Sequence, residues 1–215
     1  MDKGLTPYLL ALAPIIMFIG FFLGPETDDL QGQAYLDEIK DIDANMMALT
    51  TVLIVVGMVS TIGSFFLLSQ DMMPNVGKMQ QDMLMLARIA FVIPLICFTI
   101  GIGAEAEMHW LLTETNDDMT PEEANDIALD LHNISQHIWG AFPIGLGFAL
   151  MLVGGAGLIG KDLSANPTNW VFGFPLVVGI GMFTVFWTNA WFFFFASIFA
   201  GVPIGVMMLM GKLEV

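Results

Sequence analysis

Six runs of mostly apolar residues, each about as long as a bilayer's hydrocarbon core is thick, leave this chain few ways to fold. They cover residues 5–24, 46–68, 83–104, 138–160, 170–186 and 190–210. A helix needs roughly 20 apolar residues, within about 17 to 25, to cross that core. With 56% of its 215 residues hydrophobic, the chain has more apolar surface than a soluble domain of this size can bury against itself. Lipid must therefore solvate much of it. The expected fold class is all-α, a polytopic membrane helix bundle of six transmembrane helices forming one domain over residues 1–215. The first run follows Lys3 as a secretory signal would, but Phe22 and Gly24 do not form the small-residue pair of a cleavage site, so it is read as an anchor.

Charge is sorted along the chain. Lys3, Lys78, Arg88, Lys161 and Lys212 fall at alternate junctions, whereas 16 of the 21 acids lie in two intervening loops, 25–45 and 105–137, with Lys40 the one base among them. The bias of Lys and Arg toward cytoplasmic loops predicts a cell-membrane protein with both termini cytoplasmic and the acidic loops outside. A net charge of −15 then belongs almost wholly to the outer face, where it attracts cations and protons and repels nucleic acid. Salt-adapted surface chemistry would give the same composition. Cys97 is the only cysteine, so no disulfide forms within the chain.

Local signals refine this plan. Tyr35, Leu36, Ile39 and Ile42 recur at three- or four-residue spacing in the first acidic loop, predicting a short amphipathic surface helix. Thr120, Pro121 and Glu123 spell a capping box, and apolar positions at Ala124, Ile127, Leu131, Ile134 and Ile138 predict a long helix running without interruption into the fourth span. Thr188 and Asn189 mark a tight outer hairpin between the last two spans. Trp110, Trp139, Trp187 and Trp191 suit the outer interface and Trp170 the inner one. Prolines 14, 94, 143, 175 and 203 lie inside spans, where kinks are tolerated. Gly201 and Gly205, with the glycines of span four, predict close helix packing within or between chains. Met72, Met73, Met79, Met83 and Met85 offer soft thioethers for Cu(I), or flexible packing.

One constellation invites chemistry. Glu105 and His109, four residues apart, share a helical face; Asp126, Asp130, Asn133 and His137 follow at offsets of four, seven and eleven from the first and form one stripe. An antiparallel pairing of these helices would let Glu105, His109, Asp130 and His137 gather, with Asp126, Asn133 and His132 as secondary positions. Such a set suits a divalent metal such as Zn, Cu, Fe or Mn, or a proton relay in which neighbouring carboxylates raise an imidazole's pKa. His132 points about 120° from the stripe and reads as a bystander. A solvated acidic loop with histidines at the water boundary is the competing reading. Arg88 reads as a snorkelling side chain, with no acid at its depth.

Leu23-Gly24-Pro25, the acidic loop leading to Tyr35-Leu36, and the six-span layout resemble an uncharacterised family of small six-helix membrane proteins, which implies no activity. Glu105-x-x-x-His109 followed by a later histidine is similar to the carboxylate and histidine pattern of the C subunit of copper membrane monooxygenases, although the gap to His137 is longer. That resemblance implies a metal.

The reading favoured by these residues is an outer-face site for a divalent cation or protons, in a small transporter, sensor or metalloprotein. A second is an accessory subunit or homo-oligomer packed through glycine faces in a membrane complex. A third, an interfacial lipid-acting enzyme, lacks an activated serine or any cofactor fingerprint, and the chain is read as leaning away from an enzyme with catalytic residues unassigned.

Overall fold

The computed structural model describes residues 4–24, 30–114, 119–159, 167–184 and 190–215, and within these every regular element is helical. The first three helices are α1 (Thr6–Leu23), α2 (Gln33–Lys40) and α3 (Ala44–Met72), the last of these 29 residues long. They are followed by α4 (Lys78–Ala90), α5 (Val92–Thr113), α6 (Pro121–Trp139) and α7 (Phe142–Ile159). A 3₁₀ turn at Asn169–Phe172 leads into α8 (Gly173–Thr184), and α9 (Ala190–Phe199) and α10 (Val202–Leu209) complete the chain.

Five of these stretches are long and apolar enough to cross a membrane: Thr6–Leu23, Ala44–Asn75, Lys78–Thr113, Pro121–Ile159 and Phe192–Leu209. The all-helical architecture is compatible with a membrane helix bundle. Asn169–Thr184 is apolar but shorter, and the expected hairpin at Thr188 and Asn189 lies outside the described residues. The 39-residue stretch would be about 58 Å long at 1.5 Å per residue, roughly twice the hydrocarbon core. Its apolar half is α7; α6, which carries the acids and two histidines, extends beyond.

Helix α6 does not run unbroken into α7, as its sequence predicts. The backbone tightens at Gly140 and Ala141, whose N–H groups bond three residues back to the His137 and Ile138 carbonyls, and a new helix begins with Pro143 in its first turn. A helix likewise restarts at Phe91 before Pro94 and at Gly201 before Pro203. Pro175 likewise sits in the first turn of α8. A first-turn proline forfeits nothing, because those N–H groups have no intrahelical partner anyway. Pro14 alone lies well inside its helix.

Packing is close because glycines face neighbouring helices. A Cβ on Gly57 would fall 2.5 Å from the Met17 backbone, and one on Gly20 would fall 2.9 Å from the Ile54 backbone, so α1 and α3 cross at near backbone contact. Gly147 and Gly154 face α8, and Gly201 and Gly205 face Leu10, Pro7 and Ala11 of α1. The glycine faces read as possible subunit interfaces are thus filled by the chain's own helices. At the lysine-bearing end, Thr6 Oγ1 donates to Asp71 Oδ2 (2.6 Å), Gln80 Nε2 to the Ile159 carbonyl (3.3 Å), and Thr168 Oγ1 to the Lys212 carbonyl (2.7 Å). The Arg88 guanidinium lies over the Phe66 ring at 5.9 Å. Met72 and Cys97 are packed in the core, while Met79 and Met85 are exposed.

Candidate ligand pocket under α2

The acid-rich end is organised by α2, the amphipathic helix expected in the first loop. It does not simply lie on the surface. Tyr35, Leu36 and Ile39 are buried against Met108 of α5 and Ala128 of α6 in a small hydrophobic cluster separate from the main core. Gln33 and Asn125 exchange two amide hydrogen bonds (3.0 and 2.9 Å), tying α2 to α6. Asp43 caps α3 by accepting from the Asn45 and Met46 N–H groups. The Thr120–Glu123 capping box forms as expected at the start of α6, with the Thr120 N–H donating to Glu123 Oε2 at 2.8 Å.

Beneath α2 is a cavity of about 280 Å³. Its walls are Phe18, Phe21 and Phe22 from α1, Met47, Thr50, Thr51 and Ile54 from α3, Ile102 and Glu105 from α5, and Phe195 from α9; Tyr35 and Ile39 form the roof. Among the described residues, Glu105 is the one charged residue lining it. Its carboxylate accepts a hydrogen bond from the Tyr35 phenol. Burial, and then the nearby Glu105 charge, push the Tyr35 phenol well above the ordinary tyrosine range, so it remains a hydrogen-bond donor. Among the described residues the only ion pair is Lys78–Asp82, at the opposite end, so no Lys, Arg or His neutralises Glu105.

The sequence places Glu105 and His109 on one face, and both do turn toward α2 and α3. They take different partners. His109, 6% exposed, donates from Nε2 to the Ile42 carbonyl (3.0 Å), fastening the α2–α3 junction to α5. His137 is exposed, and its Nδ1 donates to the Asn133 carbonyl on its own helix (2.6 Å). Asp126, Asp130, Asn133 and His137 all lie on the exposed face of α6. Among the described residues, no three His, Cys, Asp or Glu side chains come together to hold a metal ion. Glu105, His109, Asp130 and His137 do not converge because the polar stripe of α6 faces away from α5, whose contact is made by the opposite face.

That opposite face carries His132, expected to be a bystander and in fact 2% exposed. Its ring stacks on Tyr35 with centroids 4.4 Å apart and planes 35° apart. The Gly32 N–H donates to Nε2 (3.3 Å), which places the remaining proton of the neutral ring on Nδ1, a buried atom without a hydrogen-bond partner among the described residues. Burial holds this imidazole below the usual histidine value.

The sequence pattern marks Tyr35 only as an apolar-face residue. Its hydroxyl was the available signal: a phenol on the buried side of an amphipathic helix requires a polar partner. Comparison with protein-family models, characterised proteins and solved structures gives no match to this chain, so function must be read from these residues.

Proposed function

We propose that this is a six-span cell-membrane protein, both termini cytoplasmic, whose working centre is the Tyr35–Glu105 pocket at the outer face. There it takes up a proton or a cation, in the manner of a small transporter or sensor. One observation carries this reading: Glu105 lines a mostly apolar cavity, held by a phenol and, among the described residues, by no basic side chain. A carboxylate partly withdrawn from water, as half-buried Glu105 is, is stabilised by a counter-charge or a proton. Binding either one is a chemical event that the surrounding residues can register, because Tyr35 joins the carboxylate to α2. The acidic surface around the pocket, where Lys40 at the end of α2 is outnumbered by carboxylates, would raise the local cation concentration. A divalent metal held jointly by Glu105, His109, Asp130 and His137 would require the last three to leave the partners or positions described above, so the proposal centres on Glu105 alone.

The test is an NMR titration of protein labelled with ¹³C at the glutamate carboxyls, with Glu105 assigned by Glu105→Gln. Glu105 is expected to titrate apart from the exposed Glu122 and Glu123, and its curve should move in Tyr35→Phe, which leaves the carboxylate without its donor. A Glu105 signal that follows the exposed carboxylates and ignores Tyr35→Phe would overturn the reading.

A further inference from the structure

We propose that the pocket under α2 binds an amphiphilic organic monocation: an ammonium or quaternary amine head carried by a compact aromatic or branched-alkyl body. The inference rests on reading Glu105 as the working carboxylate and adds the class of ligand.

Three features of the cavity select this chemistry. The first is charge, since Glu105 is the one charged wall residue among those described and favours a cation over an anion or a neutral chain, which would leave the carboxylate unpaired. The second is the rest of the wall. Hard metal cations require six or more oxygen ligands, or keep much of their water, whereas the described wall offers side-chain oxygens only from Glu105, Tyr35, Thr50 and Thr51, and much of the rest is Phe18, Phe21, Phe22 and Phe195. Aromatic faces instead attract weakly hydrated organic cations through the ring quadrupole. Phe21 and Phe195 already meet edge to face at 6.0 Å, as do Phe18 and Phe195 at 5.6 Å, so the rings are held as a group before any ligand arrives.

Size is the third. A cavity of roughly 150 Å³ holds benzene, so about 280 Å³ accommodates one ring together with a short cationic head. Phe18 and Phe22 are 42% and 81% exposed, which puts the aromatic wall at the outside of the bundle, where a solute partitioned at the membrane interface can reach it. The ligand and a proton then compete for one carboxylate. Tyr35 from α2 is the titratable group touching Glu105, with His132 of α6 behind its ring and His109 one turn further along α5; α1, α3 and α9 contribute only uncharged lining residues.

The experiment is calorimetric titration of the full chain in lipid nanodiscs with benzyltrimethylammonium, at several pH values. Saturable binding at one site is expected, weakening as the pH falls through the titration of Glu105. It should weaken at least tenfold in Glu105→Gln and severalfold in Phe21→Leu, with both variants checked for an unchanged elution profile. The uncharged isostere neopentylbenzene should bind Glu105→Gln at least as tightly as wild type, since it pairs with no carboxylate. Nanodiscs of phosphatidylcholine and of the uncharged, choline-free lipid digalactosyldiacylglycerol distinguish sources: weaker apparent affinity in the former identifies the lipid's own choline head as an occupant, and equal affinity identifies a free amine. No saturable binding, or equal affinity in Glu105→Gln, overturns the proposal. If the carboxyl titration still sets Glu105 apart, that result removes the ligand class alone; if Glu105 behaves as an exposed carboxylate, the pocket reading falls as well.

Discussion

His132 shows how much a single buried ring can decide. Its Nε2 accepts from Gly32 and its face covers Tyr35, so the neutral imidazole fits while Nδ1–H goes without a partner among the described residues. An unsatisfied buried N–H costs about 1–3 kcal/mol. Protonation would be worse, because Nε2 could no longer accept the Gly32 N–H. The folded-state pKa is depressed by burial, so the unfolded chain binds a proton that the folded chain refuses. Stability contributed by His132 is therefore complete above the ordinary histidine value of 6.5 and is lost as pH falls from there toward the lower folded value. Thermal unfolding in detergent should show a lower midpoint at about pH 5 than at about pH 7.5, and His132→Phe, which keeps a ring against Tyr35, should reduce that difference. An identical pH dependence in the variant would show that the folded chain takes up a proton at His132 as readily as the unfolded chain does.

At the scale of elements, α2 is the piece whose stability is borrowed. Eight residues are too few for a helix to persist alone in water. Its docking depends on Leu36, fully buried, with Ile39 and Tyr35 beside it. Leu36→Ala should cost about 2–5 kcal/mol of that docking. Hydrogen exchange should register it as lost protection in residues 33–40 and at the buried face of α6, while amides in α3 and α7 keep theirs. A uniform loss across the bundle would mean that α2 is not a separately docked unit. The existence of α2 and the start of α6 were legible because their signals are local: a three- and four-residue apolar period, and a Thr-Pro-x-Glu sequence that caps a helix wherever it sits. The Gly140–Ala141 break was marked by Pro143, yet sequence alone did not show that the proline would open a new helix rather than bend an old one. The site was least legible. Glu105 was visible as an acid at a span's end, but its partner Tyr35 lies 70 residues earlier, and the orientation of α6 that exposes Asp130 and His137 is fixed by tertiary packing of Ala128, His132 and Ser135.

For the whole molecule, the two ends differ in charge as the sequence order requires. Lys78 and Lys212 lie at the end stitched by Thr6–Asp71, Gln80–Ile159 and Thr168–Lys212, whereas Asp37, Glu38, Asp41, Glu122 and Glu123 surround α2 at the other. If Lys and Arg fix orientation, the pocket opens at the extracytoplasmic face, and a ligand arriving from outside meets the acidic surface first. At physiological ionic strength that field extends about 8 Å, enough to enrich cations at the mouth without reaching across the bundle. Orientation can be read directly on intact cells. With Cys97→Ala as background, Glu38→Cys and Glu122→Cys should react with a membrane-impermeant maleimide, and Lys78→Cys and Lys212→Cys should react only after permeabilisation. The reverse pattern would turn the pocket toward the cytoplasm and make its ligand an internal one; labelling at both ends in intact cells would mean that so few basic residues do not fix a single orientation.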